Sequence, residues 1–147
     1  MLTKILFYMD RDEDGYPPFE VESLWATCRD NGYELANIPF YAKGVALGDI
    51  VSAEPAEDGG LHFDRVVKRG GHSTHRIWLL QDQSSAAVQW AADFLVGHGL
   101  SVEGDIPGLL AVDIPPTVSL ESAEALLFEG VDSGRWELQD GYRAGDP

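Results

Sequence analysis

Leu2-Thr3-Lys4-Ile5-Leu6-Phe7-Tyr8-Met9 is an apolar run followed at once by charged residues, and it reads as a first β-strand. Glu20 to Cys28 is a second, partly alternating run, the pattern of a half-buried strand. Asn31-Gly32 is a hairpin signal, because both residues tolerate positive φ and suit a type I′ turn. Tyr33 to Ile38 then returns as a third strand, and Asp49 to Glu54 and Leu61 to Lys68 read as a fourth and fifth. Asp58-Gly59-Gly60 supplies the turn between these last two. Five short strands with tight turns within residues 1–70 predict a small, bent, β-barrel-like half.

The rhythm changes near Gly70-Gly71. His75 to Leu80 is strand-like, and Ile77 to Leu80 is apolar on both faces, which points to a core shared with the first half. Ser84 or Ser85 offers an N-cap, since a serine oxygen accepts an otherwise unpaired amide of the first turn. The helix that follows to about Val96 stacks Val88, Ala91, Ala92 and Leu95, with Trp90 and Phe94 widening the apolar stripe; Gly97 and Gly99 end it. Ser101 to Glu103 and Leu109 to Ile114 are two strands joined through Gly104-Asp105-Ile106-Pro107-Gly108. A second helix begins after Ser119, stacks Leu120, Ala123, Leu127 and Val131 and stops by Gly134; Trp136 to Gln139 is the last strand. The order β-α-β-β-α-β is that of the ferredoxin-like motif. The predicted fold class is therefore α+β: a β-barrel-like half, residues 1–70, followed by a ferredoxin-like half, residues 71–147, forming one compact unit.

Charge narrows the possible partners. Against 25 Asp and Glu stand 10 Lys and Arg, a net charge of −15 over 147 residues. Nucleic-acid binding draws its affinity from cations set against phosphates, and an anionic membrane surface repels such a chain. A basic protein partner or a cationic ligand remains open. Cys28 is the single cysteine, so no intrachain disulfide and no paired-cysteine metal or redox site exists. The first apolar run is too short for a signal-peptide core or a membrane span, so a soluble cytoplasmic protein is expected.

Candidate chemistry is sparse. Asp10-Arg11-Asp12-Glu13-Asp14-Gly15 opens like a calcium loop, but Val21 stands where a bidentate Glu belongs, and Pro17-Pro18 interrupts the rest. An acidic turn between strands is the better reading. His72 and His75 are three apart, which on a strand puts them on opposite faces, so no metal site or cofactor is expected. Ser73 and Thr74 read as turn hydroxyls bonded to nearby backbone, and Cys28 as a buried core thiol. No nucleophile elbow or phosphate loop is present, and no catalytic set is assembled by spacing alone. In Asn37 to Val51, Gly48-Asp49 reads as a turn re-entering the sheet, with the Asp49 carboxylate on local amides. Phe40, Tyr41 and Lys43 form a candidate exposed binding patch. Arg65, Lys68, Arg69 and Arg76 are the main basic cluster, and with the Gly70-Gly71-His72-Ser73-Thr74 turn they outline a candidate anion pocket.

Asp14-Gly15-Tyr16-Pro17-Pro18, Glu22-Ser23-Leu24-Trp25-Ala26, Asn37-Ile38-Pro39-Phe40-Tyr41, Gly48-Asp49-Ile50-Val51, Gly71-His72-Ser73-Thr74, Gly104, Leu109 to Pro115 and Gly134-Arg135-Trp136-Glu137 occur in this order. With them the chain resembles, over nearly its whole length, the bacterial domain-of-unknown-function family 4265 (DUF4265). The resemblance implies a small cytoplasmic bacterial protein and carries no catalytic residues over. Three functions stay open. The first is a non-catalytic binding protein, such as an acidic immunity-type inhibitor of a toxin or effector. The second is a small-molecule or anion sensor built on the Gly71–Arg76 turn with Arg65 and Arg69. The third is an enzyme with His72 as acid or base in a site between the halves.

Overall fold

The computed structural model describes residues 1–104 and 106–146; Asp105, in the predicted connection from Gly104 to Gly108, lies outside them. Among the described residues the fold is α+β, with strands β1 (Leu2–Tyr8), β2 (Val21–Arg29), β3 (Gly32–Leu35), β4 (Ile50–Pro55), β5 (Leu61–Lys68), β6 (Ser73–Leu79), β7 (Ser101–Gly104), β8 (Leu109–Ile114) and β9 (Trp136–Tyr142), and helices α1 (Ser85–Gly97) and α2 (Leu120–Asp132).

The first five strands pair in sequence order, each antiparallel to the next, and β5 returns to β1 in parallel through Ile5 opposite Leu61 and Leu6 opposite His62. Period-two alternation sends Ile5, Phe7, Leu24, Ala26 and Val51 inward, where Phe7 stacks on Phe63 at 4.7 Å between ring centres. Full burial of side chains such as Ile5 and Phe7 contributes roughly 1.5–3 kcal/mol each. The β2–β3 hairpin differs from expectation. Its loop is Asp30-Asn31, Arg29 faces Gly32, and Asn31 is not among the residues with positive φ. Gly32 takes φ +147°, and a Cβ there would come within 2.6 Å of the Val51 carbonyl oxygen, so the glycine serves close strand approach instead of the turn.

Strand β3 also ends at Leu35 and not at Ile38, because the Ile38 amide leaves the sheet to donate to Glu103 Oε2 at 2.6 Å. Cys28 is exposed, contrary to expectation: it lies at the hairpin end of β2, beyond the inward positions Leu24 and Ala26.

The second sheet runs β7-β8-β6-β9, all antiparallel. Both helices cover one face, packing Ala91, Leu95, Ala123 and Leu127 on Ile77, Leu79, Leu110 and Val112. Ser84 caps α1 by accepting from the Ala87 amide, and Ser119 caps α2 by accepting from the Ser122 amide. Gly97 is the last residue of α1, and Gly99, at φ +88°, turns the chain away. Trp90 and Val131 are half-exposed and lie outside the core stripe; in α2 the fourth inward position belongs to Gly130, which lies against Trp136.

Strand β6 starts at Ser73, two residues before the predicted start, and every residue in it except Trp78 is buried. His75, Ile77 and Leu79 share the helix side, and Thr74, Arg76 and Trp78 share the other. The two halves do meet on that second side, but through Thr74 and Arg76. Trp78, on the same side, is 38% exposed.

Candidate functional site

The helix-free face of the second sheet carries two segments of the first half. Residues 41–46 cross above Thr74 and Arg76. The Thr74 hydroxyl donates to the Val45 carbonyl at 3.4 Å, Arg76 Nη2 donates to the Ala42 carbonyl at 2.7 Å, and the Gly44 amide donates to the Gly141 carbonyl at 3.0 Å. A carboxylate holds the start of this crossing: Glu22 accepts the amides of Phe40, Tyr41 and Ala42 at 2.7, 3.0 and 2.8 Å. The second segment is the turn before β2. Asp12 accepts the amides of Asp14 and Tyr16, Arg11 donates to the Gly15 and Pro17 carbonyls, and the Tyr16–Pro17 peptide bond is cis. This turn ends on the sheet, where the Tyr16 hydroxyl donates to Gln139 Oε1 at 2.9 Å.

Between turn and sheet lies a cleft of about 650 Å³, walled by Tyr16, Pro18, Trp78, Leu109, Leu138 and Gln139, with Arg76 in its lining. Arg76 is 1% exposed. Among the described residues no carboxylate forms an ion pair with it, and its Nε donates to nothing. Space for the guanidinium depends on Gly141, where a Cβ would stand 2.9 Å from Nη1. Burial pulls the Arg76 pKa below its ordinary value, against Glu22, Tyr16 and Tyr41, which hold it up. A guanidinium stays charged at neutral pH even so, and a buried charge with one strong carbonyl bond is an incomplete arrangement.

The other sequence candidates are distributed around this cleft. Tyr41 is buried, with Tyr16 and Phe19 edge-on at 6.1 and 5.9 Å between ring centres; Phe40 is half-buried, and only Lys43 is exposed. The expected Phe40-Tyr41-Lys43 surface patch is therefore absent, because the Glu22 carboxylate draws the segment inward. The arginines do not converge. Arg65 is exposed and lies 4.0 Å from Asp64, whereas Arg69 donates to Asp49 at 2.9 Å and to the Gly44 carbonyl at 2.7 Å and stacks over Tyr142. Asp49, fully buried, accepts the local Ala46 amide, as its turn role predicts, and also the Gly70 amide, 21 positions away. The Gly70 amide is taken up there and Ser73 and Thr74 belong to β6, while Lys68, Arg69, Gly70 and His72 line a cavity of about 400 Å³ together with the Glu34 carboxylate. Ser73 and Thr74 do bond to backbone, but distant backbone: Ser73 accepts the Ala144 amide, and Thr74 reaches Val45.

His72 Nδ1 lies 2.8 and 3.0 Å from the two Asp113 oxygens, a pairing 41 positions apart. His75 is buried between Glu124 at 3.2 Å and Asp140 at 2.7 Å, neither aligned as a hydrogen bond. No group of three or more His, Cys, Asp or Glu among the described residues is arranged to hold a metal ion.

Asp113 provides a pH test. Burial raises its pKa above the ordinary carboxylate value and the Glu103 charge adds to this, while the charge and hydrogen bond of His72 oppose it. The folded state thus holds the proton more tightly than the unfolded state. Asp113's contribution to stability is fullest below the unfolded value of about 3.9 and falls as pH rises through the raised folded value. Unfolding by urea from about pH 3.5 to 5.5, below the ordinary histidine range, is expected to show the stability of the wild type relative to Asp113→Asn declining as pH rises. A difference that rises with pH contradicts this assignment.

Sequence reasoning missed Tyr16, Trp78 and Gln139. The available signal was Arg76 itself, a lone arginine directly before the apolar run Ile77-Trp78-Leu79-Leu80.

Compared with known proteins, the chain is similar over 99% of its length to 98% of a chain described as a novel crystal structure of a hypothetical protein from Neisseria gonorrhoeae, with a TM-score of 0.74 and 21% identity. That likeness concerns the fold. A comparison with curated proteins found no match. No helix among the described residues is long and apolar enough to cross a membrane. The family model described as a domain of unknown function, DUF4265, matches residues 22–138, and the chain belongs to that family.

Proposed function

We propose that this is a non-catalytic binding protein of the bacterial cytoplasm that takes a small anionic ligand in the cleft over Arg76. The observation that carries this reading is Arg76 in the lining of that cleft, its guanidinium buried, without an ion-pair partner among the described residues, and with Nε undonated. A cleft of about 650 Å³ is within the usual size of small-molecule sites, roughly 300–1,000 Å³. The site shifts the anion-sensing idea from the Gly71–Arg76 turn and Arg65 to the sheet face. In this reading, residues 1–70 are a β-barrel-like half and 71–147 a ferredoxin-like half, held as one unit by the Arg76–Ala42, Gly44–Gly141 and Glu103–Ile38 contacts. Their junction forms the site, as interfaces between units often do.

A thermal-shift screen against a broad panel of anionic metabolites is expected to raise the melting temperature with at least one of them. Arg76→Met is expected to abolish the rise, and Arg65→Ala, at an exposed residue outside the cleft, to leave it. An absence of shifts across the panel contradicts the reading, as does a shift that survives Arg76→Met.

The acidic inhibitor of a basic protein is the second reading. One observation favours it: the basic residues of the second half are withdrawn from the surface field. Arg76 is buried, Arg143 pairs with Glu124 at 3.1 Å, and Arg135 sits over Trp90, Phe94 and Trp136. Such a field steers a cationic partner.

A further inference from the structure

Among the described residues the cleft lining holds one cation, Arg76, and two carboxylates, Asp14 and Glu137, both exposed. The rest of the wall is mainly apolar, with Trp78, Leu109 and Pro18 prominent. A doubly charged phosphate needs more than one donor group of positive charge and here meets two carboxylates, so its desolvation is poorly offset. A carboxylate brings one negative charge, and its planar pair of oxygens suits a guanidinium edge. An apolar body next to that carboxylate covers the half-exposed Trp78 ring, surface that otherwise faces water. Resting on the reading above, we infer that the ligand class of this cleft is a monocarboxylate with a compact apolar body, its carboxylate on Arg76 and its body against Trp78.

The search for other sites gave weaker candidates. The cleft of about 330 Å³ beside Trp90 and Arg135 includes Gln81, at φ 63°, but its cation already lies over three aromatic rings. The His72–Asp113 pair has no nucleophile, since the adjacent Ser73 is buried and accepts the Ala144 amide.

Calorimetric titration with 3-phenylpropanoate and hexanoate, with their neutral amides and with phenyl phosphate, tests the assignment. Both carboxylates are expected to bind, and each amide to bind about 10-fold or more weaker, the loss associated with a charge-assisted hydrogen bond. Phenyl phosphate is expected to bind more weakly than either carboxylate. Arg76→Met is expected to reduce carboxylate binding by about 10-fold or more. Trp78→Ala, a change at a half-exposed ring that leaves the fold intact even if Arg76→Met does not, is expected to weaken the carboxylates and the amides alike, since it removes only the apolar wall. Phenyl phosphate binding more tightly than the carboxylates overturns the ligand class while leaving an anion site standing. Amides that bind as well as the acids overturn both. Carboxylates that all fail to bind overturn the ligand class, and the metabolite panel then decides the broader reading.

Discussion

Glu22→Ala is expected to lower the unfolding free energy by about 3 kcal/mol, equivalent to roughly 10 °C in melting temperature for a chain of this size. The reason is the number of donors that meet one carboxylate. Three consecutive amides, those of Phe40, Tyr41 and Ala42, end on it within 3.0 Å. No regular strand or helix is available to take them, because β3 ends at Leu35 and β4 begins at Ile50. A hydrogen bond to a charged group contributes about 1.5–3 kcal/mol, and a partly buried amide left unpaired costs about 1–3 kcal/mol. These effects are not additive around a shared acceptor, so the total stays well below three times either figure. Glu22→Gln keeps one carbonyl acceptor and is expected to fall between the wild type and alanine. Equilibrium urea unfolding is the measurement. A loss under about 1 kcal/mol, the scale of a surface substitution, contradicts the role.

Gly130→Ala is expected to cost about 3 kcal/mol as well, by a different route. A Cβ at Gly130 would lie 2.0 Å from Cε2 of Trp136, far inside any contact distance. The indole cannot swing aside easily: it is 1% exposed, and its Nε1 donates to the Leu127 carbonyl at 2.9 Å. Alanine is the better helix former by roughly 1 kcal/mol, so propensity alone predicts that the change stabilises α2. Overpacking in a filled core outweighs that gain. Urea unfolding and the near-ultraviolet dichroism of the tryptophans are expected to change together. A stabilised protein with an unaltered tryptophan signal contradicts the packing argument.

Both positions show what local pattern reveals and what it hides. A serine cap for α1 at Ser84 or Ser85, the start of α2 after Ser119, the bounds of β5 and β8 and the order of the strands and helices follow from short-range signals, and the structure agrees with them, choosing Ser84. Gly130 carries no such signal, because its need for a missing Cβ comes from Trp136, which follows the helix and folds back beneath it. Cys28 was misread because alternation identifies a side of a strand but does not say where along the strand the core stops. Phe40 and Tyr41 looked like surface anchors because the carboxylate that draws them in lies 18 and 19 positions earlier. The arginines looked like one cluster in sequence, yet they separate: Arg65 lies out on β5, Arg69 lies at Asp49, and Arg76 lies under residues 41–46, with Ala42, 34 positions away, as its strongest contact. The cleft itself requires the turn before β2 to reach Gln139 across 123 positions, which no periodicity records.

The most direct measurement of the central claim is the nitrogen–proton NMR spectrum of the arginine side chains, recorded as 3-phenylpropanoate is added, with the Arg76 Nε–H signal assigned through Arg76→Met. An Nε–H with no acceptor, in a buried guanidinium, is expected to give a resolved signal that moves progressively to a new position as the carboxylate saturates the cleft, while the Arg65 signal stays still. An Arg76 signal that remains in place while the carboxylate binds elsewhere contradicts the account.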